Sequence, residues 1–336
     1  MRAAFRKSCV TCLVLLGAFV IPVGGASAQQ PAKMTIASFS QGSGWYVYAV
    51  NLAELLRQSL PAGSSVDAPP IAGALGNIRL VGEGKADMAF GMALVGNWAQ
   101  KGIVAFDKPV SNLRALAGGW DRYYLVAVAS GRDAGPGMDK FLEKDRPNTR
   151  IALLPKGGVG PFGGQQMLQL VNAGEDAVRQ RGGNYEYTTF EAVKGRFSSR
   201  TVDLFINLAN PGHPSFTEIA QNNAVTFLQP PQAMLEEMQK RYGWNIDVMP
   251  KDTFPTQTQD LRLPGTTTTL FASTRMSDDM AYSVVKTICE GTERLRAASK
   301  ALASFDCANG VWREEVNGLP LHDGAARYYR ERGWLK

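Results

Sequence analysis

The sequence predicts an α/β protein of two lobes with a ligand cleft between them. Short apolar strands alternate with amphipathic helices along most of the chain, which is typical of parallel α/β sheets. The alternation occurs in two sets, one ending near residue 129 and the other beginning at Arg150. Because ligands bind beyond the carboxyl ends of strands in open α/β sheets, two facing lobes bring those ends into one cleft.

The first set of elements is predicted from β-rich apolar runs and from apolar positions at helical spacing. Pro61 and Gly63 end its first helix, because proline cannot continue a helix and glycine tolerates the cap geometry. The predicted strands are 34–39, 66–69 and 88–92, the predicted helices are 51–60 and 73–83, and two apolar runs lie within 113–129.

The second set follows the same rules. The predicted strands are 151–155, 185–190, 202–208, 225–229 and 270–273, and the predicted helices are 162–173, 191–198, 215–222, 233–242 and 278–298. We therefore expect a first lobe made of residues 29–125 and 225–336, and a second lobe made of residues 126–224. Closure would occur about crossing segments near 126–129 and 225–228.

The N-terminus is typical of a secretory signal peptide. Three basic residues within the first seven positions precede an apolar run that ends near Val23, and small residues then end in an A-x-A site at Ala28. We expect residues 1–28 to be removed and the mature chain to be periplasmic. The alternative is an uncleaved membrane anchor, although the run is shorter than the roughly 20 residues that span a bilayer.

The charge of the chain argues against a nucleic-acid partner. The formal net charge is +6, and removal of the signal peptide leaves 33 basic against 30 acidic residues, a net charge of +3. The basic residues are scattered rather than clustered into the patch that binds phosphate backbones. The mature chain, about 308 residues, is long enough to form two lobes.

Two cysteines follow the signal peptide, Cys289 and Cys307. In an oxidising compartment such a pair is a candidate disulfide, and two buried free thiols are the alternative. Two cysteines without a nearby histidine are too few ligands for a metal site. We therefore predict a disulfide, with no metal site and no cofactor.

Loops at the ends of predicted strands supply the candidate ligand contacts. Residues 38–46 combine glycines, which allow a close backbone approach, with a helix start, which favours an anion. An ordinary capped turn is the alternative there, and an exposed side chain at a helix start is the alternative for His213. The candidate residues are Phe39, Ser40, Gln41, Ser43, Trp45 and Tyr46, then Asn77 and Met92, then Lys156, Gly157 and Gly158, and finally His213.

Residues 158–163 form a G-x-G-x-x-G string between a strand and a helix, which imitates a dinucleotide fingerprint. We interpret it as a decoy, because Pro161 removes a backbone donor at the helix start and exported proteins are not normally supplied with nicotinamide cofactors. Catalysis is not expected either. The two histidines, His213 and His322, have no partner at ligand or acid–base spacing, and the chain has no G-x-S-x-G elbow.

The most specific pattern is the C-terminal segment Gly318–Lys336, which reads GLPLHDGAARYYRERGWLK. It resembles the C-terminus of the TAXI family, the extracytoplasmic solute-binding proteins of one class of TRAP transporter. Residues 73–80 and 82–89 resemble the G-S-x-x-N-L-R-L and S-G-x-A-D-x-A segments of that family. The likeness extends from Thr35 to Gly333.

This resemblance implies the two-lobe type II fold of periplasmic binding proteins, the "Venus flytrap". It also implies a monomer that captures a small organic solute, often a carboxylate, and delivers it to the membrane subunits of a TRAP permease. Two alternatives share the fold, namely a binding protein of an ABC importer and a periplasmic ligand sensor.

Three departures from the family pattern concern the ligand. In the first loop the family tends to have T-G-G-T-G-G-T-Y-Y, where this chain has the bulkier Phe39 and Trp45. The polar Q-S-D after the third strand is replaced by residues 92–94, Met-Ala-Leu, and the G-S-G-T loop of the second lobe reads Gly-Gly-Val-Gly at 157–160. A buried glutamate would need those polar partners. We therefore expect an apolar cleft walled by Phe39, Trp45, Tyr46 and Met92, and a carboxylate with an apolar or aromatic part as its ligand.

Overall fold

The structure is a computed structural model that describes Met1 and residues 31–71, 73–131, 137–142 and 147–336. The predicted signal peptide, apart from Met1, lies outside the described residues. Residues 31–336 form one compact unit. In the part of the chain that the structure describes, no helix has the length and apolarity needed to cross a membrane.

The first lobe begins with parallel strands joined by helices. Its strands are β1 (Lys33–Ala37), β2 (Ser65–Asp67), β3 (Met88–Met92) and β4 (Leu113–Ala117), and its helices are α1 (Gly44–Ser59), α2 (Ala74–Glu83) and α3 (Ala93–Lys101). Strand β1 pairs in parallel with β2 and with β3. Helices α1 and α2 follow β1 and β2, so both start at the carboxyl edge of the sheet, where ligands bind.

The second lobe contains β5 (Arg122–Ser130), α4 (Met138–Phe141), β6 (Arg150–Leu153), α5 (Val159–Leu170), α6 (Glu175–Gln180), β7 (Asn184–Tyr187), α7 (Phe190–Ser198), β8 (Leu204–Ala209), α8 (Pro214–Asn222), β9 (Val225–Phe227), α9 (Gln232–Tyr242) and β10 (Asn245–Met249). Strand β6 is parallel to β7 and β8, whereas β5 is antiparallel to β8 and β9. A chain of ring contacts from Phe205 through Phe216 and Phe254 to Phe227 fills part of its core.

One long strand, β11 (Leu261–Ser273), belongs to both lobes. Up to Thr267 it pairs antiparallel with β10 and β5, and from Thr268 onward it pairs with β3 and β4. The strand order is β2-β1-β3-β11-β5-β8-β6-β7, with β4 and β10 also on β11 and β9 on β5. The chain crosses a second time between β4 and β5, in residues 118–121. The two crossings divide the α/β unit into the two lobes that the sequence predicts.

The structure moves the lobe boundary from its predicted position. The sequence assigned residues 225–260 to the first lobe, but β9 and β10 pair with strands of the second lobe's sheet. The predicted hinge segments 126–129 and 225–228 pair with each other, Val128 opposite Phe227, inside that sheet. We therefore place the crossings at residues 118–121 and near Thr267–Thr268.

The C-terminal residues return to the first lobe as α10 (Asp278–Glu290), α11 (Thr292–Ala298), α12 (Glu314–Asn317) and α13 (Asp323–Glu331). The single helix predicted over 278–298 is broken at Gly291. The predicted disulfide is confirmed, because Cys289 is bonded to Cys307 with their Cα atoms 5.5 Å apart. It ties the end of α10 to a short 3-10 turn at Cys307–Asn309.

The C-terminal segment Gly318–Lys336 packs against other helices of the first lobe. The buried ring of His322 accepts a hydrogen bond from the Gly324 amide through Nδ1, at 3.3 Å, and its Nε2 lies 3.0 Å from the Met276 carbonyl. Any side chain at Gly324 would overlap the backbone of Asp278, so α13 can lie against the start of α10. The pattern that carries the family resemblance therefore stabilises the first lobe and lies apart from the cleft.

Candidate ligand cleft

A cavity of about 590 Å³ lies between the lobes. That volume is within the range of small-molecule sites, about 300–1,000 Å³. The first lobe lines it with Phe39, Ser43, Gly44, Trp45, Gly73, Ala74, Leu75, Gly76 and Met92, and the second lobe with Tyr123, Leu154, Pro155, Gly157, Gly158, Val159, Gly160, Pro161, Asn207 and Leu208. Both glycine-containing loops identified in the sequence therefore meet at one cavity.

Three helices of the described chain direct their N-termini at the cavity. The lining includes the first residues of α1 (Gly44 and Trp45), of α2 (residues 74–76) and of α5 (residues 159–161). The first amides of a helix have no carbonyl acceptor within that helix, and the helix dipole adds partial positive charge at the same end. The three termini together form an environment that favours a bound anion.

The three termini differ in how they are capped. In α1 the Ser43 hydroxyl accepts from the Tyr46 amide at 3.2 Å, and the first two residues of the helix, Gly44 and Trp45, line the cavity. Neither α2 nor α5 has a side-chain cap. In α5, Pro161 is the third residue and has no N–H, so its terminus offers fewer donors than that of α2. A bound anion would supply the missing cap.

The described lining of the cavity includes no charged side chain. Lys156, between two lining residues, turns away: its ammonium lies 4.5 Å from the Tyr187 ring centroid and 3.8 Å from a Glu175 carboxylate oxygen. The side chains that do line the cavity are mainly apolar, including Phe39, Trp45 and Met92. The cleft therefore combines a positive backbone field with an apolar wall.

Asn77 holds the first-lobe loops together beneath the cavity. It is fully buried, and its amide nitrogen donates to the carbonyls of Ser38 and Phe90, each at 2.7 Å. Its side-chain oxygen accepts from the Gly73 amide at 3.3 Å. One side chain thus fixes the loop after β1, the middle of β3 and the start of α2. The sequence predicted that Asn77 faces the cleft, but the structure places its side chain beneath the loops and away from the cavity lining.

The second-lobe wall depends on a close contact between α5 and β8. Asn207 is buried and lines the cavity, and its amide nitrogen donates to the Leu208 carbonyl at 3.2 Å. Any side chain at Gly160 would overlap the Asn207 amide group. Glycine at that position therefore lets the start of α5 lie directly on β8.

A buried polar cluster forms the floor where the chain crosses between lobes. The Trp45 indole donates to the Thr268 hydroxyl at 2.9 Å, and the Tyr48 hydroxyl donates to Oδ2 of Asp121 at 2.9 Å. Burial raises the pKa of the Asp121 carboxyl, and the hydroxyls of Thr268, Tyr48 and Tyr123 act in the opposite direction. This cluster joins the two crossing segments, because the Thr268 amide also donates to the Asp121 carbonyl at 3.0 Å.

The structure brings six of the twelve predicted ligand residues to the cavity: Phe39, Ser43, Trp45, Met92, Gly157 and Gly158. Besides Asn77 and Lys156, it places four more predicted residues away from the lining: Ser40, Gln41, Tyr46 and His213. Ser40 and Gln41 are exposed in the loop before α1. Sequence reasoning missed Tyr123 and Asn207. A polar residue within the apolar strand Leu204–Ala209 was the signal that could have identified Asn207.

His213 belongs to the second lobe's aromatic core rather than to the cleft. Its ring centroid lies 5.0 Å from that of Phe190 and 5.5 Å from that of Phe216. Burial lowers the pKa of His213, which favours the neutral ring. It stands at the N-terminus of α8 without making a side-chain cap.

Comparison with known proteins assigns the family. The model of the NMT1-like family matches residues 36–333, which is most of the chain. The chain belongs to the NMT1-like family. The match spans both lobes and the C-terminal helices, so the family pattern includes every wall of the cleft.

Several solved structures are similar to this NMT1-like protein at low sequence identity. The periplasmic binding protein BugD is 13% identical, with 81% of this chain and 86% of that chain covered and a TM-score of 0.46. MatC from Rhodopseudomonas palustris, solved with bound malate, is 13% identical over 91% of this chain and 98% of that chain, with a TM-score of 0.49. The two-lobe architecture of this chain follows from its own strand pairing rather than from these similarities.

Proposed function

We propose that this NMT1-like protein is an extracytoplasmic solute-binding protein. It captures a small organic carboxylate with an apolar or aromatic part and delivers it to a TRAP-type permease, as the TAXI resemblance implies. The observation that supports this most directly is the convergence of three helix N-termini on a cavity without a charged side chain among its described lining residues. Backbone amides would bind the carboxylate, and the apolar wall would bind the remainder of the solute.

The lobe connections support a role in capture. Among the described residues only two segments cross between the lobes, and the cavity wall is divided between the lobes. A solute that contacts both walls at once favours the arrangement in which the walls are close, so binding shifts the population toward a closed form. A permease would then recognise the closed form. We propose that the protein performs no chemical step on the solute.

A binding screen tests the capture step. The mature protein is unfolded, stripped of ligand and refolded, and its melting temperature is measured with glutamate, C4 and C5 dicarboxylates, aliphatic keto acids and aromatic carboxylates. A ligand at 100 times its Kd adds about 2.7 kcal/mol of stability, which shifts the melting temperature measurably. Stabilisation by branched or aromatic acids supports the proposal. Stabilisation by glutamate alone contradicts the apolar-cleft argument.

An uptake assay tests the transport partner. Cells that carry a candidate TRAP permease are supplied with the labelled acid, with and without this protein. Uptake that requires the protein and collapses when the ion gradient is dissipated supports a TRAP system. Uptake that instead requires ATP indicates an ABC importer, and tight binding without uptake by either system indicates a sensor.

A further inference from the structure

Trp98 of α3 is a first-lobe side chain that is buried against the second lobe. It is fully buried, and its indole Nε1 donates to the carbonyl of Tyr242, at the end of α9, at 2.7 Å. Its ring centroid lies 6.2 Å from that of Phe162 in α5 and 6.4 Å from that of Trp244, both in edge-to-face geometry. All three partners belong to the second lobe, so Trp98 joins the lobes in addition to the two crossings of the chain.

The contact continues into the wall of the cleft. The indole nitrogen of Trp244 donates to Oε1 of Gln166 in α5 at 2.8 Å, and both side chains are buried. Any side chain at Gly163 would overlap the ring of Trp244, so the backbone of α5 lies directly on that ring. The first residues of the same helix, 159–161, line the cavity. The contacts of Trp98 therefore fix the α5 wall relative to the first lobe.

This interlobe contact is separate from the candidate solute site. The described lining of the cavity includes neither Trp98 nor its ring partners. On the first-lobe side, Trp98 lies in the helix that begins directly after the lining residue Met92. A further bond joins the lobes next to Trp244, where Nδ2 of Asn245 donates to the carbonyl of Glu315 at 3.0 Å. A substitution at Trp98 can therefore change the arrangement of the lobes without removing a side chain from the cavity wall.

Separation of the lobes at Trp98 is unfavourable. Aromatic side chains bury a large apolar area, and exposing that area to water costs free energy in proportion to it. One continuous apolar cluster includes Trp98 and Val95 of the first lobe together with Met238 and Trp244 of the second, so separation here would divide a core. A cleft that is already formed in the free protein costs a solute less binding free energy than one that must first be closed.

We propose that Trp98 is a positioning residue that holds the lobes near the described arrangement before a solute arrives, and so sets how far the cleft opens. It acts through α5 and α9 rather than by touching the solute. The inference extends the proposed function, but its main test needs no solute because it concerns the free protein. When this contact is weakened, the open form becomes more populated and the apparent Kd rises in proportion to the loss of the binding-competent fraction.

Small-angle X-ray scattering of the solute-free mature protein tests the inference. Trp98→Leu removes both the ring and the Nε1 donor and is expected to increase the radius of gyration. Trp98→Phe keeps an aromatic ring without the donor and is expected to change it in the same direction by less. The matched control is Tyr329→Leu, since Tyr329 is also fully buried and donates to a backbone carbonyl, that of Leu116 at 2.9 Å, but within the first lobe. The control is expected to melt at a lower temperature with an unchanged radius of gyration.

Titration with 3-phenylpropanoate provides a second readout. Its Kd is expected to rise about threefold to tenfold in Trp98→Leu, and saturating acid is expected to return the radius of gyration to that of the unsubstituted protein. Tyr329→Leu is expected to bind like the unsubstituted protein. If 3-phenylpropanoate does not bind the unsubstituted protein, the proposed solute class is wrong, and the scattering of the free proteins still decides the inference.

Three results would overturn the inference. An unchanged radius of gyration in the folded Trp98 variants would show that the separation of the lobes does not depend on this contact. An equal increase in Tyr329→Leu would attribute the change to general loosening of the fold. An increase without a change in the Kd of a bound acid would show that the contact does not form the cleft. If Trp98→Leu does not fold, Trp98→Phe alone decides.

Discussion

Substitution of Ser43 by aspartate tests whether the electrostatic potential of the cleft binds a carboxylate, without removing the cap of α1. Ser43 caps α1 and lines the cavity, so its side chain is both structural and next to the proposed carboxylate site. Aspartate is also a good N-cap. Ser43→Asp is therefore expected to preserve the helix cap while placing a negative charge in the cleft.

The magnitude follows from the size of the cavity. A sphere of about 590 Å³ has a radius of about 5 Å, so a carboxylate on the wall lies roughly 5–10 Å from a bound anion. At an effective dielectric constant near 20 the repulsion is about 2–3 kcal/mol. We expect the Kd of a carboxylate solute to rise by roughly thirtyfold to a hundredfold.

Titration calorimetry with the best acid of the screen measures this change. The matched control is Ser277→Asp, since the Ser277 hydroxyl caps α10 through the Met280 amide at 3.2 Å and lies away from the cleft. The control is expected to bind like the unsubstituted protein. An unchanged Kd in a folded Ser43→Asp protein, or an equal loss in the control, would refute the assignment of the carboxylate to these helix termini.

Three further predictions concern stability. Asn77→Ala leaves the buried carbonyls of Ser38 and Phe90 without their hydrogen-bond donor, so the free energy of unfolding in chemical denaturation should fall by at least about 2 kcal/mol. A loss below roughly 0.5 kcal/mol would contradict the positioning role of Asn77. Burial raises the pKa of Asp121 in the folded chain, so the folded state binds this proton more tightly than the unfolded state does. As pH rises from about 4 toward the raised pKa, the free energy of unfolding of the native protein should therefore fall relative to that of Asp121→Asn. If the difference in unfolding free energy between the native protein and Asp121→Asn stays constant between about pH 4 and pH 8, this prediction is wrong. Replacing Cys289 and Cys307 by serine opens a loop with a sequence separation of 18, which should cost about 3 kcal/mol, and an unchanged denaturation midpoint would refute that contribution.

Much of the fold follows from local sequence patterns. Strand β3 occupies the predicted residues, and α7, α8 and α9 differ from prediction by one residue at their starts, because each has apolar positions at helical spacing. The disulfide was also predictable, since only two cysteines follow the predicted signal peptide and they allow a single pairing.

The incorrect predictions concern segments whose conformation is set by pairing with distant strands rather than by local sequence propensity. Strand β11 was predicted only over 270–273; Pro264 and Gly265 are unusual inside a strand, although the four threonines that follow them favour one. Pairing with β3, β4, β5 and β10 makes this segment extended along its length. The lobe boundary was misplaced for the same reason, since nothing local to β9 or β10 shows which lobe each one joins.

The sequence indicated the loops that line the cleft but not the buried polar cluster that forms its floor. Glycine-rich turns at strand ends identified the walls around Ser43 and Gly158. Asp121 and Tyr123 gave no such signal, because their positions depend on contacts with Thr268 and Thr266, well over a hundred positions along the chain. Such a contact exists only once both crossings have formed.

The division of β11 between the lobes also orders the assembly of the molecule. The second lobe is built almost entirely from residues 122–260, a continuous stretch, whereas the first lobe draws its sheet from residues 33–117 and 268–273 and its outer helices from residues 278–331. Because synthesis begins at the N-terminus, residues 33–117 of the first lobe are made long before β11, the strand that completes its sheet. Until β11 has been synthesised, β3 has an unpaired edge, and an unpaired strand edge can pair with other chains and cause aggregation.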